Sequence, residues 1–149
     1  MGAGARCGET KDMSSSPSVS VLVVDDQRPF RLAVRAVLRR SAGFVLAGEA
    51  ETGEDALTAA ARLRPDLVLM DVNLPGINGV VAGSRIQQDA PGTVVVLCST
   101  YGRTDLPAAV ADSGLDYLCK EDLAPSVLRD IWRRHGPDGP PDAYAPAPV

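Results

Sequence analysis

The sequence predicts an α/β fold of three layers, with helices on both faces of a five-stranded parallel sheet. Two observations carry this expectation. Five short apolar runs, most of them β-branched and several continuous, read as strands buried on both faces. A segment of helical period with its own start or stop signal follows each run. Strands alternating with helices imply parallel crossovers that cover the sheet on both sides. At 149 residues and 45% hydrophobic content, the chain is long enough for one domain with a core, plus flanks.

The elements follow in order. Residues Val19–Val24, VSVLVV, form the first strand. Pro29 suits the first turn of a helix that carries Phe30, Val34, Val37 and Leu38 on one face, and Gly43 stops it. Phe44–Ala50 is the second strand. Thr52 with Asp55 three residues later resembles a capping box; it opens an alanine-rich helix that runs to about Arg64 and is ended by Pro65. The third strand, LVLM at 67–70, runs straight into Asp71. A third helix over 80–88 is closed by Pro91, and the fourth strand is VVVLC at 94–98. Helix four is expected over 106–113, ended by Gly114, and the fifth strand is YLC at 117–119. Pro125 opens the fifth helix, whose Val127, Leu128, Ile131 and Trp132 make an apolar stripe read as core. Residues 1–18 are rich in Gly and Ser and residues 135–149 in Pro, Ala and Gly; both are expected to be disordered, leaving an ordered unit over 19–134. His135 then reads as a solvated tail residue.

Several function classes drop out at this level. A formal charge of −4 and the absence of a Lys/Arg cluster argue against direct nucleic-acid binding by this chain. No apolar run has the length of a bilayer span and no secretory core opens the chain, so a cytoplasmic protein without membrane contact is expected. Cys7, Cys98 and Cys119 lack zinc-type spacing, and their odd number argues against a disulfide framework. Cys98 and Cys119 read as small buried residues; the alternative, a redox pair, requires their strands to be neighbours.

In open α/β sheets ligands gather beyond the carboxyl ends of the strands. There the first strand delivers Asp25 and Asp26, the third Asp71, the fourth Ser99 and Thr100, and the fifth Lys120. Any one of these residues is explained by a turn, a cap or a solvated surface. Their joint arrival at the ends of four strands is not. Converging carboxylates share a site by protonation or by holding a cation, and hard oxygen donors favour Mg²⁺. A metal alone leaves the lysine without a purpose. A phosphoryl group on one carboxylate supplies it, since Mg²⁺ and an ammonium can neutralise its oxygens from opposite sides while a hydroxyl donates to a third.

The segments VLVVDD, LVLMDVNLPGING, VVVLCST and YLCKED together resemble the receiver domain of two-component response regulators, over about residues 19–134. The look is closest to receivers that precede LuxR-like helix-turn-helix outputs. That resemblance implies a flavodoxin-like sheet of order 2-1-3-4-5. It implies Asp71 as the phospho-acceptor, served by the histidine of a sensor kinase. Asp26 and Asp71 would bind Mg²⁺ through carboxylates, Asn73 through its main-chain oxygen and Asp25 through water. Lys120 would pair with the phosphoryl oxygens, Ser99 would be the switch hydroxyl and Tyr117 the aromatic that swings with it. Pro75, Gly76 and Gly79 would shape the loop beside the acceptor. The surface altered by phosphorylation would be helix four, strand five and helix five, read by a downstream protein or by a second copy, with Trp132 a candidate contact.

The sequence departs from that pattern in places. Gly114 to Lys120 is six steps where seven are usual, and Glu121 and Asp122 follow the lysine where many receivers have proline. Capping of helix five is the expected role of these acids. Tyr101 is bulky where attacking water would approach, and is expected to slow loss of the phosphoryl group. A phosphotransferase of the haloacid dehalogenase type needs an acid two positions after its nucleophile, which neither Asp71-Val72-Asn73 nor Asp25-Asp26-Gln27 provides. A flavodoxin-like cofactor module needs a Gly-rich phosphate loop after the first strand, and none is there. The chain therefore reads as a signalling domain, not an enzyme, either stand-alone or cut from a transcriptional regulator that carried a DNA-binding half.

Overall fold

In the computed structural model, residues 18–100 and 107–135 are described. Strands β1 (Val19–Val24), β2 (Phe44–Ala50), β3 (Leu67–Asp71), β4 (Val94–Ser99) and β5 (Asp116–Cys119) form one parallel sheet of order β2-β1-β3-β4-β5. Helices α1 (Arg28–Arg39), α2 (Gly53–Leu63), α3 (Gly79–Asp89), α4 (Ala108–Asp112) and α5 (Pro125–His135) alternate with them.

Alternation along the strands builds two cores. Val21, Val23, Leu69, Val96 and Cys98 pack on one face beneath Val34 and Leu38 of α1 and Leu128, Ile131 and Trp132 of α5. Leu22, Val24, Met70, Leu97 and Tyr117 pack on the other beneath Ala56, Ala82, Ile86 and Val110 of α2, α3 and α4. Every residue of β3 and β4 is buried, as expected of strands with helices above and below. Edge strand β2 is half exposed, and its pairing with β1 shifts by one residue at Val21/Leu22.

The local signals act as their chemistry requires. Thr52 caps α2, its hydroxyl accepting from the Asp55 N–H at 3.0 Å. Asn78 does the same for α3 through the Val81 N–H at 2.9 Å. Helix α2 ends one residue earlier than expected, at Leu63, because Arg64 turns into the left-handed region (φ 48°) ahead of Pro65.

Two expectations are corrected. His135 is the last residue of α5, and its Nε2 lies 2.9 Å from Asp116 Oδ2, where Arg134 Nη2 also sits at 2.9 Å. A carboxylate at the start of β5 thus draws one more residue into the helix. Trp132, 5% exposed, lies in the core, as its place in the apolar stripe implies. Glu121 and Asp122 lie in a 3-10 turn, and α5 starts from the Ala124 carbonyl, which accepts from the Val127 and Leu128 N–H groups. No helix among the described residues is long and apolar enough to cross a membrane.

Candidate functional site: an acidic cluster at the strand ends

The C-terminal edge of the sheet assembles the charged residues. Strand β3 lies between β1 and β4, so Asp71 emerges at the centre of the edge, beside Asp25 just past the end of β1. Oxygens of Asp25, Asp26 and Asp71 lie within 4.8 Å of one another, the first and last buried and Asp26 exposed.

Asp25 is fully buried and engaged at every polar atom. Its N–H donates to the Ala50 carbonyl at 3.0 Å, and its own carbonyl accepts from Arg31 Nη1 at 2.8 Å. Its Oδ1 accepts from the Gln27 N–H at 2.7 Å, which turns the chain into α1. Its Oδ2 faces the Lys120 ammonium at 2.5 Å, an ion pair whose alignment falls outside hydrogen-bond geometry.

Lys120 enters from the end of β5. Its Nζ is 3.5 Å from Asp71 Oδ1 and 4.7 Å from the centre of the Phe30 ring, so it leans toward Asp25 with an aromatic face beside it. Burial works against its charge, but the contact with Asp25 and the charges of Asp71 and Asp25 outweigh that, and its pKa is raised. Asp71 is 4% exposed. Burial first, and then the Asp25 charge, push its pKa up to about 6, against Lys120 and the Asn73 N–H, which donates to Asp71 Oδ1 at 3.3 Å. A carboxyl near that value is ionised at neutral pH but not heavily stabilised as the anion.

The loop after β3 is fitted to this edge. Gly76 has φ +76°, and a Cβ there would lie 2.4 Å from Glu54 Oε1. A Cβ on Gly79 would lie 1.9 Å from the Asp71 carbonyl oxygen, so only glycine lets α3 begin so close to the end of β3. Glu54 Oε2 accepts from the Ile77 N–H at 3.3 Å, tying the loop to α2.

Ser99 ends β4, buried, in register with Cys119 and next to Cys98, which pairs with Asp71. Tyr117 is also buried, and its hydroxyl donates to the Ser99 carbonyl at 3.4 Å. Tyr101 and Leu106 lie outside the described residues. Strands β4 and β5 are neighbours, yet Cys98 packs into one core and Cys119 against the other, so the sheet separates the two thiols and both are free. Burial pushes the Cys98 thiol far up, an inert environment.

The sequence pointed to the strand-end residues but not to Arg31, Phe30 or Glu54. The available signal was Arg31 itself, a cation three residues before Val34 on the apolar stripe of α1, with Glu49 and Glu51 at the end of β2 to receive it.

A five-stranded parallel sheet of this order, with an acidic trio and a lysine at its carboxyl edge, defines an α/β domain that gathers these charged side chains at one edge. The chain belongs to the response regulator receiver domain family, whose model matches residues 21–132. It is 32% identical over 118 residues to the response regulator protein VraR of Staphylococcus saprophyticus, covering 78% of this chain and 56% of that protein. The chain thus spans about half the length of the curated relatives it matches. The response regulator domain of Thermotoga maritima CheB superposes with a TM-score of 0.68 at 27% identity, covering 79% of this chain and 96% of that one. A DNA-binding response regulator of the LuxR family from Staphylococcus aureus shares the fold, with a TM-score of 0.67 at 20% identity, over 76% of this chain and 95% of that one.

Proposed function

We propose that this chain is a phosphorelay receiver, a unit over residues 19–134 that accepts a phosphoryl group on Asp71 from the histidine of a sensor kinase. The observation that carries the reading is Asp71 itself: a buried carboxylate with a pKa of about 6, beside Asp25 and 3.5 Å from an ammonium. A carboxylate so placed is anionic at neutral pH yet loosely held, which suits a nucleophile. Its oxygen would attack phosphorus as the bond from phosphorus to the imidazole nitrogen breaks, the electron pair leaving with that nitrogen, to give an acyl phosphate. Lys120 would turn from Asp25 toward the new oxygens, and Ser99 would donate to one of them.

The donor set suits Mg²⁺: three carboxylates within reach of one ion, two of them buried and flanked by a single ammonium. Asp26 and Asp71 would hold it through carboxylate oxygens, Asn73 through its main-chain oxygen and Asp25 through water. When bound, the ion neutralises charge on the transferring group.

Among the described residues no strong general base stands at the edge, and the chain would serve as its kinase's substrate and at most lose its phosphoryl group slowly. The signal would leave through Ser99 and Tyr117, already joined by a hydrogen bond, to the surface of α4, β5 and α5. Reversing a strongly biased two-state equilibrium takes roughly 5 kcal/mol, within reach of a few charge-assisted contacts. That surface would meet a downstream protein or a second copy, in the cytoplasm, without this chain touching nucleic acid.

Incubation with Mg²⁺ and acetyl phosphate, followed by intact mass measurement, tests the acceptor. The wild type is expected to gain the mass of one phosphoryl group and Asp71→Asn none; equal gain by both would end the proposal.

A further inference from the structure

Among the three acids of the cluster, Asp26 alone is exposed, and no described donor or cation reaches its carboxylate. Asp25 is fixed by Gln27 and Lys120, and Asp71 by Asn73 and Lys120. The direction of Asp26 therefore depends on its backbone, and first on the peptide that joins it to Asp25.

Arg31 grips that peptide. Its Nη1 donates to the Asp25 carbonyl at 2.8 Å, a fully buried contact. The rest of the guanidinium is anchored at the end of β2 and just past it: Nε donates to Glu49 Oε1 at 3.0 Å, and Nη2 lies 3.5 Å from Glu51 Oε2. Glu49 is itself held by Arg35, and its pKa is lowered, mainly by that contact. A planar fork seated on an acid at one edge presents its other edge in a fixed direction, which a lysine could not reproduce. The neighbouring Asp25 N–H is bound to β2 as well, through the Ala50 carbonyl at 3.0 Å. Without Arg31 the buried carbonyl would lose its donor, and the peptide would be free to rotate, carrying the Asp26 side chain with it.

We infer that Arg31 is a positioning residue of the metal centre, setting the Asp25–Asp26 peptide from the β2 side and so aiming Asp26 at the ion. This rests on the Mg²⁺ reading of the acidic cluster. Groups that hold a ligand in place commonly matter about 10-fold or more to metal affinity.

Mg²⁺ titration of the isotope-labelled full chain, followed by amide NMR shifts, tests it apart from any phosphoryl transfer. Arg31→Met is expected to weaken Mg²⁺ about 10-fold and to move the Asp26 amide resonance before any metal is added. Arg35→Met leaves every contact of Arg31 in place, and Glu49→Gln keeps a side-chain oxygen to accept from Arg31 Nε, so both should stay within about two-fold of the wild type. Because Arg31→Met leaves Glu49 with Arg35 as its remaining described cation, the Arg31→Met/Glu49→Met double variant serves as the comparison that removes the acid as well. It should still unfold in one cooperative transition, at or above the melting temperature of Arg31→Met, yet bind Mg²⁺ as weakly as Arg31→Met. Wild-type affinity in the double variant, or equal weakening by Glu49→Gln, would overturn the role of the carbonyl contact. A wild type that binds no Mg²⁺ would remove the metal centre and the role of Arg31 with it.

Discussion

The two ends of the sheet use aspartate in opposite ways. At the amino end, Asp66 accepts from the Ser20 N–H at 2.9 Å and the Ser20 hydroxyl at 3.2 Å, while its own N–H donates to that hydroxyl at 3.1 Å. Asp116, at the start of β5, sits against Arg134 and His135 and accepts from the Tyr117 N–H at 2.8 Å. Burial raises the Asp116 pKa, but those partners outweigh it, and the net shift is downward. At the carboxyl end the shift of Asp71 is upward, to about 6. The difference is the supply of donors. Acids at the amino end are matched by hydrogen bonds and cations and fasten elements together. Among the described residues, those at the carboxyl end share one lysine, which leaves charge there for an incoming cation or phosphoryl group to use.

Breaking a fastened acid should cost the most. Asp66→Ala removes two acceptor contacts and leaves the Ser20 N–H without its partner, so unfolding should become easier by about 2–3 kcal/mol in denaturant titrations. The opposite sign is expected at the other end. Asp71 has a folded pKa of about 6, above its ordinary value, so it binds its proton more tightly when folded. In the metal-free protein the stability linked to that proton is complete below the ordinary aspartate range and is lost as pH rises through about 6. Asp71→Asn removes the loss. It should stabilise the metal-free protein by on the order of 2 kcal/mol at pH 7.5 and by little at pH 4. Added Mg²⁺ should close the gap by stabilising only the wild type. Destabilisation by Asp71→Asn at pH 7.5 would mean that the carboxyl edge is fastened like the amino edge.

The same contrast explains what could be read from the sequence. Asp25, Asp71 and Lys120 were legible because each follows an apolar run, and a parallel sheet brings the ends of such runs to one edge. Strand order was not contained in the periodicity of the runs, since continuous apolar strands look alike; it came from the combined motifs. Arg31 was hidden because apolar patterning assigns a charged residue to the outside of a helix, whereas this one is buried by two glutamates far along the chain. His135 was misplaced for a related reason. The composition of the tail begins there, but a carboxylate across the fold holds it in the helix. The separation of Cys98 and Cys119 needed the register of β4 against β5, because one residue of offset sends the two side chains to opposite faces.

The smallest expected effect lies at Asp116, and it tests whether its fastening is electrostatic. Asp116→Asn keeps an oxygen for the Tyr117 N–H and removes only the charge facing Arg134 and His135. Arg134 is 52% exposed at its side chain, so solvent screens most of the attraction and the loss should stay below about 1 kcal/mol. The folded pKa of Asp116 is depressed. Its contribution is therefore present above the unfolded value and lost as pH falls through the folded one, the reverse of the behaviour of Asp71. Unfolding curves of wild type and Asp116→Asn should differ at neutral pH and low salt, approach each other at high salt, and coincide in acid. A difference that persists in acid would assign the fastening to side-chain geometry instead of charge.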